Sequence, residues 1–168
     1  MGRGYAAWVQ EAADSAPTRR LRLLSEAVGR GLAAGVAGTV AMTASSTLEM
    51  KLRGRPPSTA PAKAVGRLLG VKPVGRKGEQ RFATVAHALT GVSLGAARGV
   101  LDAAGVRRPA ATLPATFAIV MAPEVLLAPA LGATDPPWRW GLLESAISVA
   151  HHVAWVGAAE AAYRALSR

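Results

Sequence analysis

Apolar residues are concentrated in four stretches of the chain, and the segments between them hold most of its charges. The stretches with few or no charged residues are 31–48, 82–97, 110–134 and 141–163. A soluble amphipathic helix has polar residues every three or four positions, whereas apolar residues here surround the whole helix. With their flanking residues, the stretches are long enough to cross a bilayer. The pattern predicts an all-α, polytopic membrane bundle of four transmembrane helices, at about residues 31–50, 82–104, 110–133 and 140–166.

The charged segments predict the parts of the protein that lie outside the hydrocarbon. Residues 1–30 are expected to form a basic juxtamembrane arm, with a short interfacial helix that begins near Thr18. Residues 51–81 are expected to form a basic loop between the first two transmembrane helices. Within this loop, Ser58 or Thr59 followed by Pro61 is typical of a helix start. The chain is therefore divided into the arm and one membrane domain, residues 31–168.

Small residues recur at intervals of four along the first two apolar stretches. This spacing lets two helix backbones approach closely, which is a main source of attraction between helices in lipid. The glycines that we expect at helix contacts are Gly31, Gly35, Gly38, Gly91, Gly95 and Gly99.

The chain of 168 residues has a net charge of +10 and no cysteine. Disulfides and thiolate metal sites are therefore excluded. The excess positive charge favours either nucleic acid or an anionic membrane surface as a partner. The basic loop lacks interleaved aromatic residues, so anionic lipid headgroups are the expected partner and nucleic acid is not. The residues predicted to form this lipid-binding or partner-binding surface are Lys63, Arg67, Lys72, Arg76 and Lys77.

Among the His and Glu residues of the predicted transmembrane helices, six are candidates for the interior of the bundle. They are His87, Glu124, Glu144, His151, His152 and Glu160. Ionisable groups within a membrane are costly and usually face the interior of a bundle, where they are paired. We expect these residues to form a buried polar cluster, which would titrate near neutral pH through its histidines.

Three interpretations of this cluster stay open. The side chains could hydrogen-bond across helices and hold the bundle together. They could instead conduct protons or bind a small solute. A metal site is the third interpretation, but no HExxH motif or similar spacing supports it, so neither a metal nor another cofactor is expected.

The C-terminal part of the chain, PALGATDPPW followed by HVAW, is similar to the YagU-like family of bacterial inner-membrane proteins, whose molecular function is not established. The glycine-rich start of the first helix and the Pro-Pro that follows it also fit. The resemblance implies a multi-pass protein of the inner membrane. Two positions depart from the family pattern: Ser148 stands where an acidic residue is expected, and Glu124 where a histidine is expected. The matching positions are His87, Pro129, Gly132, Pro136, Pro137, His152, Trp155, Glu160 and Arg164.

The expected function is proton-linked transport or pH sensing through the buried His and Glu residues. Two other classes stay open: a membrane scaffold that binds anionic lipid or a partner protein through the basic loop, and a soluble, basic nucleic-acid-binding helical protein. Association with a second copy of the chain is also open. We expect no enzyme, because no nucleophile–base pair or phosphate-binding loop is present. Lys and Arg residues are divided equally between the two sides of the bundle, and their density in loop 51–81 favours a cytoplasmic location for that loop.

Overall fold

A computed structural model describes residues 15–168, which form helices and no strand. The all-α prediction is confirmed for this part of the chain. The long helices are α1 (Ala16–Arg53), α3 (Gly75–Ala103), α4 (Pro109–Ala122) and α5 (Leu142–Leu166), and α2 (Ala60–Leu69) is short. Helix α4 continues through a π-helical turn, Pro123–Leu127, into a last turn at Ala128–Ala130.

Two of these helices, α1 and α4 with its continuation, are long and apolar enough to cross a membrane. Helices α3 and α5 are also long enough to cross a membrane, but neither contains an equally apolar stretch of that length. The core helix of a soluble protein has the same length and composition, so these two properties do not by themselves define a membrane span. The structure thus contains two candidate spans where the sequence predicts four.

The predicted short interfacial helix near Thr18 is not a separate element. Residues 18–30 are instead the first turns of α1, which runs without interruption from Ala16 to Arg53. The physical reason is that nothing in this segment ends a helix: Gly29 and Gly31 are helical. The first glycine in the left-handed conformation is Gly54, with φ of 63°, and it ends α1 by donating its N–H to the Met50 carbonyl. The preceding part of the predicted basic arm, residues 1–14, lies outside the described residues.

The segment between α1 and α3 contains the expected helix α2. It begins at Ala60 after Thr59, with Pro61 in its first turn, where the missing proline N–H leaves no hydrogen bond unmade. Helix α3 begins at Gly75, seven residues before the predicted start at 82, so part of the basic loop is helical.

Helix α1 is the centre of the bundle and packs against both α3 and α5. Gly31 faces Gly95 and Gly99, whereas Thr39 faces Gly91, so α1 and α3 are antiparallel. Gly38 faces the Trp155 ring and Ser45 contacts His151, so α1 and α5 are antiparallel as well. The six glycines named from the sequence therefore all lie where another helix touches α1 or α3.

Helix α4 packs mainly against α5 and runs antiparallel to it, because Thr112 contacts Glu160 and Glu124 contacts Ser148. The bundle therefore has two ends. The Asp102 end contains the turn between α3 and α4 and the C-terminus of α5. The Glu49 end contains the C-terminus of α1, helix α2 and the turn between α4 and α5.

The closest backbone approach predicts opposite effects for two alanine substitutions in α3. A Cβ at Gly95 would lie 2.6 Å from the Gly35 Cα, so Gly95→Ala must push α1 and α3 apart. We expect a loss of roughly 1–3 kcal/mol in the free energy of unfolding. A Cβ at Gly78 meets nothing within 4 Å, so Gly78→Ala should stabilise the helix by up to about 1 kcal/mol. Thermal unfolding of the two variants by circular dichroism checks this, and equal midpoints would contradict the close packing.

Candidate functional site

Polar side chains inside the bundle form three clusters along α5, near Glu144, His152 and Glu160. Eight residues separate each from the next, which is roughly 12 Å along a helix axis. We name them the Glu49, His152 and Glu160 clusters. Between the last two lies an apolar layer of Val120, Trp155, Val156 and Ala159, on which Met42, Leu94 and Phe117 pack.

The His152 cluster consists of His152, Glu124 and Ser148. The His152 imidazole is buried, and its Nε2 lies 3.4 Å from Oε2 of Glu124. Ser148 donates its hydroxyl to the same carboxylate oxygen at 2.8 Å. The other imidazole nitrogen, Nδ1, lies 2.9 Å from the Ser148 carbonyl. One residue of α4 and two of α5 thus meet in a single contact.

The hydrogen bonds of this cluster determine where its protons lie. A carbonyl can only accept, so His152 Nδ1 carries a hydrogen and donates it to Ser148. In a neutral imidazole, Nε2 then presents a lone pair to the Glu124 carboxylate. Two acceptors at 3.4 Å are not stable together without a proton between them. A proton shared between Nε2 and the carboxylate would make this contact a hydrogen bond.

The position of Glu124 depends on the irregular turn in α4. Pro123 has no N–H to donate and cannot continue the regular helical hydrogen-bond pattern. The chain forms a π-helical turn over Pro123–Leu127, a type of bulge that is common at functional sites. The Glu124 side chain contacts α5 from this turn, and 35% of it stays exposed.

The Glu49 cluster lies at the end of α1. Arg55 makes a bidentate contact with Glu49, with Nε 2.8 Å from Oε1 and Nη2 2.5 Å from Oε2. Arg53 bridges Glu49 on its own helix at 3.0 Å and Glu144 on α5 at 2.6 Å. His151 is hydrogen-bonded through Nδ1 to Ser45 Oγ at 2.8 Å, and its Nε2 lies 3.9 Å from Glu49. These ion pairs join the ends of α1 and α5.

The Glu160 cluster contains a buried ion pair. Arg98 Nε lies 2.5 Å from Glu160 Oε2, and both side chains are less than one-tenth exposed. Thr112 and Arg164 also donate to Glu160, at 3.4 and 2.9 Å. The Tyr163 ring lies 4.1 Å from the Arg98 guanidinium carbon, and its hydroxyl donates to Asp102. Helices α3, α4 and α5 are therefore joined by one carboxylate.

The six predicted cluster residues are thus distributed over separate places. Glu124 and His152 are in direct contact, whereas Glu144 and His151 belong to the Glu49 cluster. Glu160 lies beyond the apolar layer. His87 is apart from all of them: the Thr43 hydroxyl donates to the Thr39 carbonyl, so His87 Nε2 donates to the Thr43 oxygen at 3.3 Å.

Several residues of these clusters were not singled out from the sequence. Arg98 was taken only as the charged end of an apolar stretch, although it is one of the most buried side chains. Glu49 adjoins the predicted basic loop, and Arg53 and Arg55 lie within it, so all three resemble surface charges. The one available signal was the pair of polar residues Thr112 and Thr116, one helical turn apart in an apolar stretch, since both are buried in α4.

The predicted surface of loop 51–81 lies at the Glu49 end. Four of its five cations, Lys63, Lys72, Arg76 and Lys77, are exposed and make no hydrogen bond or ion pair among the described residues. Arg67 is different, because its guanidinium donates to the Leu131 carbonyl and so caps the last turn of α4.

Within residues 15–168, no three His, Asp or Glu side chains come together in a way that could hold a metal ion. Comparisons of the chain with protein-family models, curated proteins and solved structures gave no match. The geometry of the clusters is therefore the basis for assigning a function.

The buried ion pair predicts a large effect for Glu160→Gln. This substitution keeps the size of the side chain but leaves Arg98 charged and unpaired, so the free energy of unfolding should fall by roughly 3–5 kcal/mol. The matched control is Glu26→Gln, which removes a carboxylate from an exposed pair with Arg22 and should change little. Denaturant or thermal unfolding measures both. A control variant as unstable as Glu160→Gln would contradict a special role for the buried pair.

Proposed function

We propose that the chain is a multi-pass protein of the bacterial inner membrane with four transmembrane helices, and that its Glu124–His152 pair takes up and releases a proton. The function served by this exchange is proton-linked transport or pH sensing. The single observation that carries the proposal is the contact of a lone-pair nitrogen with a carboxylate oxygen inside the bundle.

The distribution of side chains between surface and interior supports a membrane environment. Charged, hydroxyl and imidazole groups are buried, including Arg98, Glu160, Thr112 and His152. Large apolar side chains instead face outward on every long helix, a pattern that water would oppose and lipid favours. These outward side chains include Val36, Val40, Val85, Leu89, Ile119, Leu126, Val149 and Val153.

The packing of the helices supports four spans rather than two. Helix α3 runs antiparallel to α1, with backbone contacts from Ala27 against Gly99 to Gly35 against Val92. Helix α5 lies along α1 from Gly38 to Arg53. If α1 crosses a membrane, helices that follow it over this length cross with it. Their lower hydropathy agrees with this arrangement, because their polar groups face the interior and not lipid.

The apolar layer determines from which side protons reach the pair. Trp155 and Val156 lie between the His152 and Glu160 clusters, and Trp155 is 2% exposed. Among the described residues, no side-chain hydrogen bond joins the two clusters across this layer. In this arrangement Glu124 and His152 exchange protons with the Glu49 end, where His151 and Glu49 lie 3.9 Å apart. Transport requires this layer to open, whereas sensing does not.

A second candidate function is a scaffold that binds anionic lipid through loop 51–81. The observation that favours it is the surface of α2, where Leu68 and Leu69 are more than three-fifths exposed beside the free cation Lys63. Such a helix lies naturally at a membrane surface, with its leucines in the lipid and its lysine at the headgroups. This function and proton exchange are compatible in one protein.

Single-cysteine labelling tests the number of spans, because the natural chain has no cysteine. We expect Ser58→Cys and Trp138→Cys to react with a membrane-impermeant maleimide on one side, and Ala104→Cys and Ser167→Cys on the other. If only α1 and α4 cross, Ser58→Cys and Ala104→Cys instead share a side. Labelling of all four sites from the same side of the membrane would contradict any transmembrane arrangement.

The proton site is tested by a hydrophobic carbodiimide, which reacts with protonated carboxyl groups, and by proton flux. We expect labelling at Glu124 that decreases as the pH rises, with none at Glu160, whose carboxylate is held by Arg98 and Arg164. In vesicles that contain a pH-sensitive dye, His152→Gln and Glu124→Gln should abolish the proton uptake of the natural protein. His87→Gln is the matched control, since it removes an imidazole that lies outside the pair and is hydrogen-bonded to Thr43. Absence of both labelling and uptake in the natural protein would overturn the proposal.

A further inference from the structure

An open cleft of about 370 Å³ lies at the Asp102 end of the bundle, between the last turns of α3 and α5. Its polar lining is dominated by guanidinium groups that come from both helices and from the turn after α3. The charged and aromatic residues that line it are Arg98, Asp102, Arg107, Tyr163, Arg164 and Arg168. None of the proton chemistry of Glu124 and His152 involves this cleft.

Arg98 supplies the inner wall of the cleft and has a donor without a partner. Its side chain is 4% exposed, and two of its nitrogens contact Glu160. The third nitrogen, Nη1, is buried and makes no hydrogen bond. A buried donor of a charged group is costly when it stays unpaired. An acceptor oxygen placed in the cleft would satisfy it.

The charges around the cleft favour an anion. Four arginines line it, and the carboxylates in contact with them are Asp102 and Glu160, so an excess of two positive charges remains. Asp102 is held by the Tyr163 hydroxyl at 3.1 Å and by Arg107 at 3.1 Å, and these contacts reduce its repulsion of an anion. Glu160 is likewise held between Arg98 and Arg164.

We propose that this cleft binds a phosphate group, supplied either by inorganic phosphate or by the headgroup of an anionic lipid. Phosphate is the chemistry that fits, because several guanidinium groups from different directions match an anion with several acceptor oxygens. The Arg98 Nη1 donor and the exposed arginines Arg107 and Arg164 bind it together. Both sources offer the same group, and the cleft lies at the end of the bundle, where headgroups meet a membrane helix.

The test compares two variants that each remove an exposed arginine paired with an aspartate. Arg107, at the rim of the cleft, is 73% exposed and contacts Asp102, whereas Arg139, at the Glu49 end, is 69% exposed and contacts Asp135. The full-length protein, Arg107→Gln and Arg139→Gln are titrated with sodium phosphate at constant ionic strength by calorimetry. A second arm measures binding to lipid nanodiscs that contain either phosphatidylglycerol or only phosphatidylcholine.

We expect the natural protein to bind phosphate or phosphatidylglycerol saturably, with an affinity about tenfold weaker in Arg107→Gln. Arg139→Gln should keep the natural affinity. Binding in the first arm assigns inorganic phosphate as the source, and binding only in the second assigns a lipid headgroup. Arg98→Lys, which keeps the charge but loses the guanidinium fork, should weaken binding in the same arm.

Two results would overturn the proposal. One is the absence of binding in both arms by the natural protein. The other is an equal loss of affinity in Arg107→Gln and Arg139→Gln, which would show general attraction by the basic surface, including loop 51–81, and no site in the cleft. Neither result bears on the proton site, because Glu124 and His152 lie on the other side of the apolar layer.

Discussion

The α1 and α3 backbones approach each other closely, and this contact positions the buried Arg98 in the bundle. Gly31, Gly35, Gly95 and Gly99 leave no room for a Cβ between the two helices. Arg98 is adjacent to one of these glycines and Thr39 packs over Gly91, so the depth of the polar residues is set by the glycine contacts. Helix α5 then packs on the other side of α1, through Gly38 and Trp155, and brings Glu160 to Arg98.

The polar clusters differ in how completely their charges are balanced. Glu160 pairs with Arg98 and Arg164, and the two carboxylates of the Glu49 cluster pair with Arg53 and Arg55, so these charges are satisfied by fixed cations. The His152 cluster has a carboxylate, an imidazole and a hydroxyl but no arginine. A group that must be neutralised by a proton, and not by a fixed cation, is responsive to pH. This difference is why we propose the proton function for Glu124 and His152 and not for Glu160.

The features that the sequence predicts well are those that depend on neighbouring residues along the chain. Helical structure follows from the composition of the apolar stretches, and the start of α2 follows from Thr59 and Pro61. The glycine spacing identified residues that touch another helix, since spacing by four places them on one face. The predicted start of the first helix at residue 31 was wrong, because the charged residues before it were expected to lie outside the helix. A helix continues through charged residues until a residue such as the left-handed Gly54 ends it.

The grouping of titratable residues could not be predicted, because it depends on which helices are neighbours. His151 and His152 are adjacent in sequence, yet they point to different helices, one to Ser45 and Glu49 on α1 and the other to Glu124 on α4. Arg98 looked like a boundary residue because its partner is 62 residues away. The π-helical turn that brings Glu124 to α5 also depends on packing, and Pro123 indicates only that some irregularity is present.

The order of the helices has a consequence for how such a bundle forms. Each of the two most apolar helices, α1 and α4, is followed along the chain by a long helix that contains the polar groups. In the proposed four-span arrangement, the unit that enters a bilayer is a hairpin of one strongly and one weakly hydrophobic helix, in which the first compensates for the second. Arg98 is in the first hairpin and Glu160 is in the second. These two side chains therefore neutralise each other only after the hairpins pack together. Assembly of the two halves is thereby coupled to their insertion.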